Sequence, residues 1–404
     1  MTKSLYHPFF RLLQNHSYIH KRRKFHDYIR GPADHGTYKI PLSSSKIVGV
    51  YSSRGSRLDQ EDASAVHALQ LDPKEISRTL ERSKIKWDPL SSGTEFLAGQ
   101  VAFFGIYDGH GGKDVAGFLR DHLHELIESV EPSFAEELIS WTKERHGGYY
   151  RRWRGGNLSR LVREKDQGLM LDERLTLAFL QADRDILERV NNAERCGSTG
   201  TVALLHSLDS PGQPYWSSKR LNMIIGHCGD TKALLCHRPT GQVHTLTERH
   251  HAEARVEAAR LRRMGADRLV ADSFGETRWM GAIENTRGFG DGKWKSSGVT
   301  AEPEIITRVI DGSDYSYLIL VTDGLTSLMS DQELIDLARN ASDPTRAAKT
   351  IVHFAEDLGA NDNCTCIVVP LAGWGKVGGM DMTEERREYR RRQVGMMNSR
   401  MQRM

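Results

Sequence analysis

Carboxylates recur where apolar runs stop. Asp108 ends VAFFGIYD, Asp230 follows MIIGHCG, Asp323 follows LILVT, and Asp362 precedes NCTCIVV. Each run has the length of one buried strand, so each acid stands at a strand end, where a sheet holds a carboxylate at a fixed point without burying it. A single acid there is an ordinary turn or cap residue. Four of them, three with a glycine neighbour (Gly109, Gly229, Gly324), mark a place where backbone and carboxylates approach something closely. Oxygen donors gathered without cysteine make a hard site, suited to magnesium, manganese or calcium and poor for zinc.

Two further stretches carry chemistry. In VAFFGIYDGHGG (101–112), His110 follows the first acid at a distance of two residues. In RGSRLDQEDA (54–63), Arg57 precedes Glu61 by four residues and Asp62 by five, so one short segment offers a guanidinium and two more oxygen ligands. His250 and His251 are adjacent, point about 100° apart in a helix and cannot chelate one ion together, which reads them as surface residues.

The elements that must hold these residues are short. SKIVGVYS, VAFFGIYDG, TVALLHS, LNMIIGHCGD, SYLILVTDG and DNCTCIVVP read as strands. VAGFLRDHLHELIESV and AEARVEAARLRRMGA carry helical periodicity. Strands separated here by hairpin-scale gaps and there by helices predict an α+β layered domain over residues 41–373. Residues 72–98 and 141–174 are polar and glycine-dotted and read as surface insertions. YYRRWR (149–154) inside the second reads as solvated, with arginines over its aromatics, and no nucleic-acid-binding signature accompanies it.

The net charge of +3 is unevenly spread. Residues 1–30 carry seven basic side chains against one acid and residues 375–404 eight against four, so the body between them is acidic. The basic, acid-poor start of segment 1–40 reads as a mitochondrial targeting peptide, with a cytoplasmic location as the alternative. Segment 374–404 reads as a solvated polar tail, since no clean apolar helix face emerges in it. No apolar run reaches transmembrane length. The five cysteines show neither zinc spacing nor a CxxC pair, which excludes a thiol-dependent site and agrees with a reducing compartment.

Taken together, RLDQED (57–62), FFGIYDGHGG (103–112), CGSTGTVALL (196–205), IIGHCGDTKALLC (224–236), EAARLRRMG (257–265), TRGFGD (286–291), AEPE (301–304), VTDGL (321–325) and NDNCTCIVV (361–369) resemble the ordered signatures of the type 2C metal-dependent serine/threonine protein phosphatases. The resemblance spans roughly residues 47–370 and is greatest to the fungal mitochondrial members. It implies a four-layer α-β-β-α sandwich, two central antiparallel sheets flanked by helices, with a centre for two Mg2+ or Mn2+ ions at one end. By position, Asp108 would bridge the ions, the Gly109 carbonyl and Glu61 would complete one sphere, and Asp323 and Asp362 the other. Asp62 would hold a ligand water, Arg57 the substrate phosphate, and His110 would protonate the departing serine or threonine oxygen.

The chain departs from the family pattern at Ser327, where many members carry an acid that helps the counterpart of Asp230 hold a third ion. Asp230 is carried over as a ligand, and the third site is expected to be weak or absent. ERHHAEAR replaces the expected HKP before EAAR, and Arg260 is carried over as a second phosphate contact. The implied activity is hydrolysis of phosphoserine and phosphothreonine in proteins by a monomeric enzyme. The alternative is a pseudophosphatase that binds phosphoproteins without turnover.

Overall fold

The computed structural model describes residues 27–164, 168–263, 269–271, 277–279 and 283–401. Its first 14 or so positions form a hairpin of β1 (Tyr28–Ala33) and β2 (Gly36–Pro41). The strands that follow are β3 (Gly49–Ser53), β4 (Ala63–Gln70), β5 (Gln100–His110), β6 (Gly197–Ser207), β7 (Arg220–Cys228), β8 (Lys232–His237) and β9 (Val243–Thr245). A small pair, β10 (Leu269–Ala271) with β11 (Thr277–Trp279), precedes β12 (Phe289–Gly290), β13 (Glu304–Asp311), β14 (Tyr315–Val321) and β15 (Cys364–Pro370).

Apart from the two pairs β1-β2 and β10-β11, the strands build two antiparallel sheets. One has the order β13-β7-β6-β5-β4, with β12 paired to β6; the other has the order β3-β15-β14-β8-β9. Strand β5 shows why its sequence is apolar throughout. Phe103 and Tyr107 pack with Leu119, Leu123 and Phe179, from the helices Asp114–Ser129 and Leu171–Arg189, whereas Phe104 and Ile106 pack with Leu318, Leu320 and Ile367 of the other sheet. A strand covered on both faces has no polar alternation to show. Beyond the second sheet, Ile319, Val321 and Val368 pack with Ile335, Ile351 and Phe354 of the helices Asp331–Ala338 and Pro344–Asp357. Helices, sheet, sheet and helices are therefore stacked in four layers around three apolar interfaces, an α+β fold as the sequence predicts.

The structure differs from five of these expectations. The described residues of segments 72–98 and 141–174 contribute to the core: Ile76, Leu80, Tyr150, Trp153, Leu158 and Leu161 are buried against the outer helices of the first sheet. Their charged residues hid this, since short helices bury only one or two side chains per turn. In YYRRWR, Arg151, Arg152 and Arg154 are exposed as expected, but Tyr150 and Trp153 are interior. His250 is buried, not superficial; it stacks on His227 at 4.5 Å, and its Nδ1 accepts from the Gly229 backbone N at 3.0 Å.

The fourth concerns the C-terminal segment. Residues Glu384–Met401 form a helix that is docked by arginines instead of apolar side chains. Arg390 donates to buried Glu333 at 3.0 Å and to the Leu328 carbonyl at 2.6 Å, and Arg387 donates to Asp381 at 2.6 Å. At the other end the packed body begins before residue 41: Ile29 is buried in the intersheet core, and Arg30 exchanges two hydrogen bonds with the Gln100 amide. The targeting segment lies, for residues 1–26, outside the described residues.

Candidate functional site

Alternation along β5 places Asp108 on the same face as Phe104 and Ile106, toward the second sheet. It emerges where the intersheet core ends. Opposite it the second sheet delivers Asp323, the first residue of the short helix Asp323–Thr326 that follows β14, and Asp362, two residues before β15. The backbone N of Asp323 donates to Asp108 Oδ2 at 3.3 Å. Asp230 arrives from the turn between β7 and β8, where its Oδ2 accepts from Asn285 Nδ2 at 2.7 Å. Asp108, Asp230 and Asp323 each place a carboxylate oxygen within 4.8 Å of the others.

Glu61 and Asp62 precede β4, which pairs with β5. Gly109 has to be glycine at this crossing: a Cβ there would stand 2.4 Å from the Glu61 carbonyl oxygen. Asn363 ties the same segment to the second sheet, accepting from the Glu61 backbone N at 2.7 Å and donating to the Arg54 and Asp59 carbonyls at 3.0 Å each. Asp62 Oδ2 accepts from the hydroxyls of Thr322 at 3.0 Å and Thr365 at 2.7 Å, while its Oδ1 is buried without a hydrogen-bond partner.

Packing acids this closely resists their ionisation. Burial, opposed by the two threonine bonds and reinforced by the charges of Asp323 and Asp362, pushes Asp62 up to about 7. Burial and the neighbouring Asp230 raise Asp323 to about 6. Asp108 stands well above the ordinary carboxylate range, through burial first and then the charges of Asp62, Asp323 and Asp230. An all-oxygen cluster that protein cations leave undercompensated, with an orphaned Asp62 oxygen behind it, fits hard divalent cations.

A cavity of about 390 Å³ opens over this cluster, lined also by Glu61, Gly109, Asp362, Arg57 and His110. Arg57 Nη2 donates to Asp362 Oδ2 at 2.8 Å, and Asp362 Oδ1 accepts from the Asn363 backbone N at 2.8 Å. His110 Nε2 meets Asp291 Oδ2 at 2.9 Å. Burial works against protonating this imidazole, but the Asp291 hydrogen bond and the charges of Asp291, Asp230 and Glu61 prevail and raise its pKa. Asp291 was missed in the sequence, although TRGFGD contains it, because nothing local ties it to a histidine 181 residues away.

Arg260 is not brought to the cavity. Its guanidinium donates to Glu257 at 2.7 and 2.9 Å and to the carbonyls of Gly298 at 2.8 Å and Thr286 at 3.0 Å. Glu257 also receives Arg287 at 2.7 Å, and the two guanidinium charges hold its carboxyl far below the usual range against the cost of burial. Ser327 spends its hydroxyl on the Gly324 carbonyl at 3.2 Å.

Comparison with known proteins agrees with this architecture. Residues 77–364 match the protein phosphatase 2C family. Protein phosphatase 2C homolog 4 of Schizosaccharomyces pombe is 38% identical over 295 residues, covering 70% of this chain and 75% of that protein. Protein phosphatase 1K, mitochondrial, of Xenopus laevis is 29% identical over 285 residues, covering 69% of this chain and 63% of that protein. The crystal structure of a serine-threonine phosphatase 2C from Toxoplasma gondii shares the fold, with a TM-score of 0.50 at 18% identity over 86% of this chain and 98% of that one.

Proposed function

The chain belongs to the protein phosphatase 2C family and is a metal-dependent serine/threonine protein phosphatase, and we propose that its cleft works with two Mg2+ or Mn2+ ions and with His110 as general acid. The observation that carries this is the carboxylate cluster at the floor of a cavity that Arg57 and His110 also line. Asp108, Gly109 and Glu61 would hold one ion and Asp108, Asp323 and Asp362 the other, with Asp230 beside them. Bound there, such ions supply Lewis acidity that draws charge from the phosphoryl group and acidifies an attacking water.

The protein groups do the rest. Asp62 keeps one carboxylate oxygen for a water, since its other oxygen is spent on Thr322 and Thr365. Arg57 uses one N–H on Asp362 and has further donors for phosphoryl oxygens, a match of planar fork to oxyanion that lysine would not make. With Nε2–H donated to Asp291, the proton that His110 transfers to the departing oxygen sits on Nδ1. Arg260 acts at one remove: with Glu257 it supports Arg287, which lines the cavity.

The test is phosphate release from a phosphothreonine peptide by the full chain and by Asp108→Ala, with and without Mn2+. Metal-dependent turnover lost in the variant supports the reading. A folded chain that binds the peptide and releases nothing at saturating Mn2+ overturns it in favour of the binding-only alternative, whose one sequence feature is Ser327. Among the described residues no helix is long and apolar enough to cross a membrane. The basic start and the likeness to a relative named as mitochondrial support a mitochondrial location, which fractionation of cells expressing the tagged chain would test. Sedimentation would test whether it acts as a monomer.

A further inference from the structure

Three arginines line the catalytic cavity, and two of them are committed to the protein. Arg57 is bound to Asp362 at 2.8 Å. Arg287 gives Nε and Nη2 to Glu257 at 3.0 and 2.7 Å and Nη1 to the Glu302 carbonyl at 2.9 Å. The third, Arg195, is exposed, and among the described residues its guanidinium makes no hydrogen bond or ion pair. A guanidinium left without a partner at the mouth of an acid-lined cavity is a binding group held in reserve.

Its backbone, in contrast, is fixed. The Arg195 N donates to the Asn192 carbonyl at 2.9 Å, and the next residue, buried Cys196, accepts from the Asp291 backbone N at 3.0 Å. Cys196 Sγ reaches the Gly111 carbonyl at 2.6 Å, and the Arg195 carbonyl lies so close to Gly111 that a Cβ there would come within 3.1 Å of it. Arg195 is thereby anchored to the residue after His110 and to the residue that binds His110. Arg195 lines the same cavity as Arg57 and His110 and is exposed, so a substrate group beside a phosphorylated side chain held there would come within its reach.

We propose that Arg195 is a specificity-determining residue that receives an anionic group, a carboxylate or a second phosphate, on a substrate residue flanking the phosphorylated one. The proposal rests on the phosphatase reading and names the substrates that reading leaves open: phosphoproteins with acidic or doubly phosphorylated sites. Oxyanions suit the planar fork, whereas a lysine or arginine at the same place would meet like charge.

The experiment uses the full chain with Mn2+ and phosphothreonine peptides that differ at the flanking positions only, carrying Glu, phosphoserine, Ala or Lys. The readout is the ratio of kcat/KM between flanks within each protein, so that any general loss of activity cancels. Wild type should favour Glu over Lys by up to about fivefold, the range of an exposed charge pair. Phosphoserine should exceed Glu if a second phosphate is the better fit and fall level with it if a carboxylate suffices; either supports an anion site. Arg195→Ala should bring the Glu/Lys ratio close to one, Arg195→Glu should invert it, and Arg195→Lys should retain its sense. The same ratio in all four proteins overturns the proposal. Failure of wild type to hydrolyse any of the peptides would instead remove the phosphatase reading beneath it.

Discussion

His110 and Asp291 meet across the end of β6, Nε2 to Oδ2 at 2.9 Å, at the point where β6 carries Gly197. A Cβ on Gly197 would lie 2.4 Å from Asp291 Oδ2 and 2.6 Å from His110 Nε2, so the pair exists because that residue has no side chain. Asp291 itself adopts a left-handed conformation, φ 50° and ψ 38°, that non-glycine residues seldom take, and the Cys196 carbonyl holds it there through the Asp291 N–H. Asp291 fixes the imidazole orientation as the orienting acid of a catalytic triad does.

Asp291→Asn should therefore lower kcat on a phosphoserine peptide by about 10- to 100-fold, a fraction of the roughly 10²- to 10⁴-fold that general acid catalysis usually contributes, because the imidazole is misoriented and not removed. Hydrolysis of p-nitrophenyl phosphate, whose leaving group departs without a proton, should fall far less. Equal losses on both substrates would assign Asp291 a structural role only. Gly197→Ala should resemble Asp291→Asn in this ratio.

Metal should act as a structural ligand of the folded state. Mn2+ at a hundredfold excess over its Kd should stabilise the wild type by about 2.7 kcal/mol. Asp108→Asn should weaken that gain while raising the melting temperature of the EDTA-treated protein, because it removes one of three mutually repelling carboxylates. Thermal unfolding of both proteins in EDTA and in Mn2+ checks the two signs separately.

Acid should destabilise the fold through its buried histidines. His206 donates Nε2–H to the Ala98 carbonyl at 2.9 Å, and burial lowers its pKa to about 4. His250, stacked on His227, is lowered to about 3, by burial first and then by the Arg287 charge. Above the unfolded value near 6.5 both states are neutral and nothing is lost. As pH falls from there toward 4, the unfolded chain takes up protons that the fold refuses, at a cost of about 1.4 kcal/mol per pH unit for each such histidine. Urea unfolding at pH 7 and pH 5 should show the decline, and His206→Gln should reduce its slope.

The C-terminal helix should carry stability despite its charge. Glu333 is fully buried; it receives Arg390 at 3.0 Å and also caps its own helix through the Ser330 N at 2.9 Å. Arg390→Ala leaves that carboxylate with its capping bonds and the more distant Arg386, 3.7 Å away, and frees the Leu328 carbonyl, at a cost of about 2–3 kcal/mol. Urea unfolding of the variant measures it, and a change within 0.5 kcal/mol would mean that the helix is not docked in solution.

The acids of the floor, and the strands and helices that carry them, can be read from local pattern. Asp108, Asp230, Asp323 and Asp362 are legible because each is the local end of an apolar run, and strand length and helical periodicity are written in neighbouring residues. Which of these groups meet is set by long-range packing. Arg57 reaches Asp362 across 305 positions and Asp291 reaches His110 across 181, through strand registers and a glycine crossing that no local pattern encodes. The same holds for burial. Trp153 and His250 sit in polar stretches yet are interior, and the arginines of Glu384–Met401 dock a helix that has no apolar face, because a neighbour's shape and charge, and not a residue's own flanks, decide whether water is excluded.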